Sequence, residues 1–181
     1  MLCTHKNYLF LFLIFFSSAD INSEDDPFLF IDSNAQKMVK ILKENSDLFL
    51  SDRELYENKI KEIFEPMIDF RRVAASVMGK KYYLLSTRTQ REDFAEIFKD
   101  SLLDTYAETL AQWGDSKIST HFSSLQINDQ IKNIEVKQTL NTGNNKYPIS
   151  YKLRKSQDGW KIVNIIINGV NLGLTFRNQF E

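Results

Sequence analysis

Near Gly114 the chain changes its pattern, and that change decides the fold class. Ahead of it, apolar residues recur every three or four positions; behind it, runs rich in valine, isoleucine, threonine and tyrosine are separated by turn signals. Helices first and strands afterwards make an α+β domain of two layers, with N-terminal helices laid on a C-terminal sheet. The segments Thr142 to Asn145 and Gln157 to Gly159 are short enough for hairpins, so the sheet is expected to be antiparallel.

The helical half divides at its capping signals. Ala35, Met38, Val39, Ile41 and Leu42 predict a first helix from Asp32 to Ser46, preceded by an acidic leader from Asp20 to Pro27. Ser51 with Glu54 has the spacing of a capping box, and Leu55, Ile60, Ile63, Phe64 and Met67 continue a second amphipathic stretch that Pro66 should end or kink. A short helix from Asp69 to Met78 follows, with Gly79 as its stop. Thr87 with Gln90 opens the longest helix, running through Phe94, Phe98, Tyr106 and Leu110 to Trp113. Strands are expected at Ile134 to Leu140, Tyr147 to Arg154 and Trp160 to Ile167, and a less regular one around Lys117 to Gln126. Trp160 to Ile167 is apolar on both faces, so its inward side is not fixed by alternation.

Residues 1–19 read as a secretory signal peptide: Lys6, the apolar run Tyr8 to Phe16, then Ser17, Ser18 and Ala19. Residues 20–181 then form one domain. Cys3 is the chain's one cysteine and lies in the leader, so the exported chain must stand on its hydrophobic core without disulfides. That suits a bacterial periplasm. Acidic and basic residues nearly cancel, at a net charge of −1, and no basic stripe stands out along the chain. Nucleic-acid binding is therefore not expected, nor is electrostatic adhesion to an anionic lipid surface.

Few residues could carry chemistry. His121 is the one histidine beyond the leader, which argues against a metal centre, and no cofactor is expected. Among the acids, Asp69 is placed to cap the helix it opens, while Asp104 and Glu108 share a helix face on the solvated side. No Gly-x-Ser-x-Gly elbow or glycine-rich phosphate loop occurs. Catalytic residues are not expected.

Two blocks together carry a resemblance. Asp69-Phe70-Arg71, Gly79, the Thr87 to Gln90 cap, Phe94, Phe98 and the segment Leu103 to Ala107 form one. The stretches Asp158 to Leu172 and Phe176 to Phe180 form the other, and jointly they resemble the MlaC family of periplasmic phospholipid-binding proteins, of the toluene-tolerance type. The resemblance implies a curved sheet with a lipid cavity beneath the helices, and a monomeric, non-enzymatic, periplasmic carrier. Such a carrier shuttles phospholipid between an outer-membrane lipoprotein complex and an inner-membrane ABC transporter complex, maintaining lipid asymmetry. The cavity so implied would be lined by Phe70, Val73, Val77, Phe94, Phe98, Tyr106, Tyr151, Leu153, Val163, Ile165, Val170 and Leu172, with Arg71, Arg72 and Arg177 as candidates for the headgroup phosphate. Exposing two acyl chains of roughly 30 methylenes would cost on the order of 25 kcal/mol, so a carrier must enclose most of their length.

The chain departs from the family pattern at Asn164, Asn168 and Asn171, where aspartate, glutamate and serine are usual. Relatives also commonly continue past the position of Glu181 into another helix, whose absence is expected to leave either the cavity more open or the lipid shallower. A rival reading is an isomerase or hydrolase on a cone-shaped fold of the nuclear-transport-factor type, which requires a carboxylate or His121 inside the cavity. A structural module would instead show close packing where a void is expected.

Overall fold

The computed structural model describes residues 25–111, 113 and 115–180; the leader expected over residues 1–19 lies outside them. Among the described residues five helices precede a sheet and one follows it: α1 (Pro27–Glu44), α2 (Leu48–Ser51), α3 (Arg53–Met67), α4 (Phe70–Leu85), α5 (Arg88–Ala111), then β1 (Lys117–His121), β2 (Asn133–Asn141), β3 (Lys146–Ser156), β4 (Gly159–Ile167), β5 (Val170–Asn171) and α6 (Leu172–Phe180). The strands form an antiparallel meander in the order β1-β2-β3-β4-β5. The α+β layering expected from the change near Gly114 is what the chain adopts.

The helix starts follow their caps. Asp26 accepts from the Phe28 and Leu29 amides at 2.7 and 3.1 Å, with Pro27 at the first helical position. Helix α1 thus begins earlier than Asp32, and the end of the presumed acidic leader is structural: Pro27 is buried, and the Asp25 carbonyl accepts from Trp160 Nε1 at 3.0 Å. The cap of α3 is Asp52 rather than Ser51, through the Leu55 amide. At α5 the capping box is reciprocal, Thr87 Oγ1 accepting from the Gln90 amide at 3.2 Å and Gln90 Oε1 from the Thr87 amide at 2.9 Å.

At Gly79, with φ 67° and ψ 169°, α4 breaks, and it resumes as a second short helix reaching Leu85. Only glycine adopts that backbone region readily, and Arg177 of α6 packs against the bare Cα.

Two hydrophobic clusters result. The larger joins α1, α3 and the end of α5 to the sheet through Ile31, Leu42, Tyr56, Ile60, Val136, Leu153, Trp160 and Ile162. The smaller joins α4 to α5 through Ala74, Val77, Ala95 and Phe98, with Phe176 of α6 packed on it. Within the sheet, Gln138 is buried and donates to Thr120 Oγ1 at 2.8 Å, while the Thr120 hydroxyl donates to Asp32 at 2.7 Å. This relay ties β2 through β1 to α1.

Candidate functional site: an apolar cavity at the seam of two clusters

The two clusters do not close on each other. Between them lies an apolar cavity whose empty space, open mouth and adjoining solvent included, is about 960 Å³. Phe64 and Ile68 border it from the end of α3, Phe70 and Val73 from α4, and Leu102, Tyr106, Thr109 and Leu110 from α5. The sheet contributes Ile149, Tyr151, Ile162, Asn164, Ile165 and Ile167; Leu172, Gly173 and Phe176 come from α6, and Trp113 follows α5. A second void of about 570 Å³ adjoins it under α1, sharing Phe64, Leu110, Trp113, Ile149, Tyr151 and Ile162 as a common wall.

Helix α6 closes one side. Phe176 meets Phe98 edge-on at 5.2 Å between ring centroids and Tyr106 at 6.2 Å. The helix is set by two asparagines: Asn171 Oδ1 accepts from the Leu174 amide at 3.1 Å and from Asn164 Nδ2 at 3.0 Å, and Asn164 Oδ1 accepts from the Gly173 amide at 3.2 Å. The unpaired donors at the start of α6 are thereby satisfied at the cavity's edge. Asn168, with φ 50°, and Gly169, with φ 81°, make the two-residue turn between β4 and β5. The asparagines at the three family positions therefore have local structural work to do.

Which face of β4 points inward is settled by a β-bulge. Ile165 and Ile167 stand opposite Tyr151 and Ile149, but the register shifts between Lys152 and Leu153, so that Ile162, not Val163, pairs with Leu153. Ile162 borders the cavity before the bulge and Ile165 and Ile167 after it, so the inward parity changes, with Asn164 at the cavity's edge beside α6. The strand is apolar on both faces because both face the interior in turn.

Of the twelve expected lining residues, Phe70, Val73, Tyr106, Tyr151, Ile165 and Leu172 border the cavity. The other six do not. Val77 and Phe98 are buried in the α4–α5 cluster with Phe94 packed on it, and Leu153 is buried in the larger core. Val163 occupies the bulge. Val170 is exposed, at the end of the tight turn. None of the three arginines lines the cavity: Arg72 pairs with Asp69 at 3.2 Å, Arg177 packs on Gly79, and Arg71 faces a separate groove. Phe64, Ile68, Leu102, Trp113, Ile149, Ile162, Ile167 and Phe176 were not singled out as wall residues; all are apolar residues that a periodic pattern marks equally well as core.

The lining includes no carboxylate, histidine or lysine, and no metal-binding cluster occurs among the described residues. Asp69 caps α4 by accepting from the Arg72 amide at 3.0 Å, Asp104 pairs with Arg53 at 3.1 Å, and His121 lies exposed against Thr139 at 2.9 Å. The enzyme reading required such a group inside. Burial pushes the Tyr151 hydroxyl well above the usual tyrosine range, as hydrocarbon walls would.

A hydrocarbon-walled cavity between a helical layer and a curved meander defines a class of α+β binding proteins, and the comparisons specify it. The chain belongs to the MlaC family: that family's model, described as MlaC protein, matches residues 32–181. Toluene tolerance protein ttg2D of Pseudomonas putida is 32% identical over 141 residues, 77% of this chain and 64% of that protein. The intermembrane phospholipid transport system binding protein MlaC of Haemophilus influenzae is 21% identical over 152 residues, 83% of this chain and 71% of that one. The chain thus spans about two thirds of the length of these curated relatives. A phospholipid-binding protein from Ralstonia solanacearum, solved in complex with a phospholipid, shares the fold with a TM-score of 0.77 at 24% identity, covering 86% of this chain and 85% of that one.

Proposed function

We propose that this protein is a periplasmic phospholipid carrier that holds acyl chains in the cavity between α4, α5, α6 and the β3–β4 face. One observation carries the reading: a large cavity walled almost wholly by hydrocarbon, with Thr109, Asn164 and two tyrosine hydroxyls as its polar side chains of note. Apolar side chains left facing an open space forgo packing contacts and burial, so walls of this composition make physical sense when an apolar ligand covers them. The names of the Haemophilus and Ralstonia relatives, which mention phospholipid transport and binding, support the same ligand class.

The carrier works by reversible burial, with no bond made or broken. Phe70, Val73, Tyr106, Tyr151, Ile165 and Leu172, with Phe176 as the lid residue, are the proposed acyl-chain contacts. Transfer would run between an outer-membrane lipoprotein complex and an inner-membrane ABC transporter complex, as the family resemblance implies, and residues 1–19 would direct export. The test is to express the full chain, purify it from the periplasm, extract it with organic solvent and identify the extract by mass spectrometry. Glycerophospholipid in amounts comparable to the protein is expected; protein free of it throughout would overturn the proposal.

A further inference from the structure

Averaged over the chain the charges nearly cancel, which hides a segregated stretch. From Phe70 to Arg91 there is no aspartate or glutamate, but there are six cations: Arg71, Arg72, Lys80, Lys81, Arg88 and Arg91. Asp69 and Glu92 flank the stretch and neutralise Arg72 and Arg88. The other four have no acidic partner among the described residues.

The same stretch carries the largest exposed leucines near its charges. Beyond the break at Gly79, Leu84 is 67% and Leu85 77% exposed. Lys80 and Leu84, like Lys81 and Leu85, are four residues apart and share a helix face. Each leucine thus projects beyond a lysine one turn behind it, the arrangement in which an apolar tip enters an interface while the ammonium remains among polar headgroups. The tip is held in place. Arg91 donates to the Ser86 carbonyl at 2.7 Å and to its hydroxyl at 3.1 Å, and its guanidinium stacks 4.0 Å above the Tyr83 ring. Beside it lies a groove of about 500 Å³, open solvent included, bordered by Arg71, Arg88, Arg91, Tyr83 and Met78, with Glu92 on its rim engaged by Arg88; Arg71 and Arg91 are the guanidinium groups left to suit phosphate oxygens.

We infer that the second half of α4 and the first turn of α5 form a docking surface for the phosphate-bearing face of an anionic phospholipid bilayer. A net positive charge and projecting leucines favour a bilayer over a protein partner. No helix among the described residues is long and apolar enough to cross a membrane, so the contact is peripheral and reversible. The inference stands on this surface alone and does not require the cavity's cargo to be a phospholipid.

The test is co-sedimentation of the purified chain with vesicles of phosphatidylcholine, with and without a minority of phosphatidylglycerol. Binding is expected on the anionic vesicles, weakened by salt. Each lysine removed in Lys80→Gln/Lys81→Gln should lower the partition coefficient about five-fold, and Leu84→Ser/Leu85→Ser should lower binding further. Phospholipid extracted from both double variants should match the unaltered chain, since none of these residues borders the cavity; this checks folding and keeps cargo separate from docking. Failure to bind anionic vesicles, or binding that both double variants leave unchanged, overturns the inference. So would capture of an acidic protein through this tip with no vesicle binding.

Discussion

Gly79 shows how much one residue can fix. Its φ of 67° and ψ of 169° lie in a region that side-chain-bearing residues rarely enter, and a Cβ there would stand 3.2 Å from Arg177 Nη2. Gly79→Ala is expected to cost about 1–3 kcal/mol, read as a lower midpoint in chemical denaturation, with α6 contacts loosened. Its role as a helix breaker was legible in the sequence, but the resumption of helix after it was not, because Lys80 to Leu85 makes no periodic apolar face. The Tyr56 hydroxyl offers a different handle. Burial pushes it up to about 12 from an ordinary 10.0, and Tyr151 shifts in the same direction. The unfolded chain releases these protons first, so stability is fully present below pH 10.0 and falls as pH rises toward about 12. Denaturation across the alkaline range should show that fall, and Tyr56→Phe should make it shallower.

At the scale of elements, the hairpins and the α5 cap followed from short-range rules, and the strands lie close to where alternation placed them. The β4 bulge could not be read that way. A strand whose inward face changes parity looks apolar throughout, so Trp160 to Ile167 offered no alternation to count, and Val163 was assigned a wall it does not reach. The Asn168-Gly169 pair is a turn signal in plain view, and it makes the turn between β4 and β5. Comparison with the family pattern concealed α6, because Asn171 was weighed as a lost serine when it is the cap of a helix. Asn171→Ala removes that cap and a partner of Asn164 together. A loss of about 1 kcal/mol is expected, with faster hydrogen exchange at the Gly173 and Leu174 amides than elsewhere in the domain.

Over the whole molecule, the cavity exists because two clusters with different partners meet without merging: one is built on the sheet, the other on the α4–α5 pair. A sequence marks apolar faces, and core and cavity wall carry the same mark; only tertiary geometry tells Leu153, packed, from Tyr151, which faces the void. Of the twelve expected wall residues, six border the void, four pack within the clusters, Val163 occupies the bulge and Val170 is exposed. The distinction can be measured by filling the void. Ile165 borders it and is only half-buried, so Ile165→Trp places an aromatic ring in space the protein leaves open. In a packed core such enlargement costs typically 1–3 kcal/mol; here the lipid-free protein should lose less than that, since the ring gains wall contacts without displacing neighbours. Co-purifying phospholipid should fall sharply in the same variant. The unaltered protein should also melt higher with its lipid than after extraction, because a ligand bound only by the folded state adds its binding free energy to stability, and Ile165→Trp should narrow that gap. A variant that loses stability like an overpacked core, with its lipid content unchanged, would show that the space is closed in solution and that acyl chains lie elsewhere.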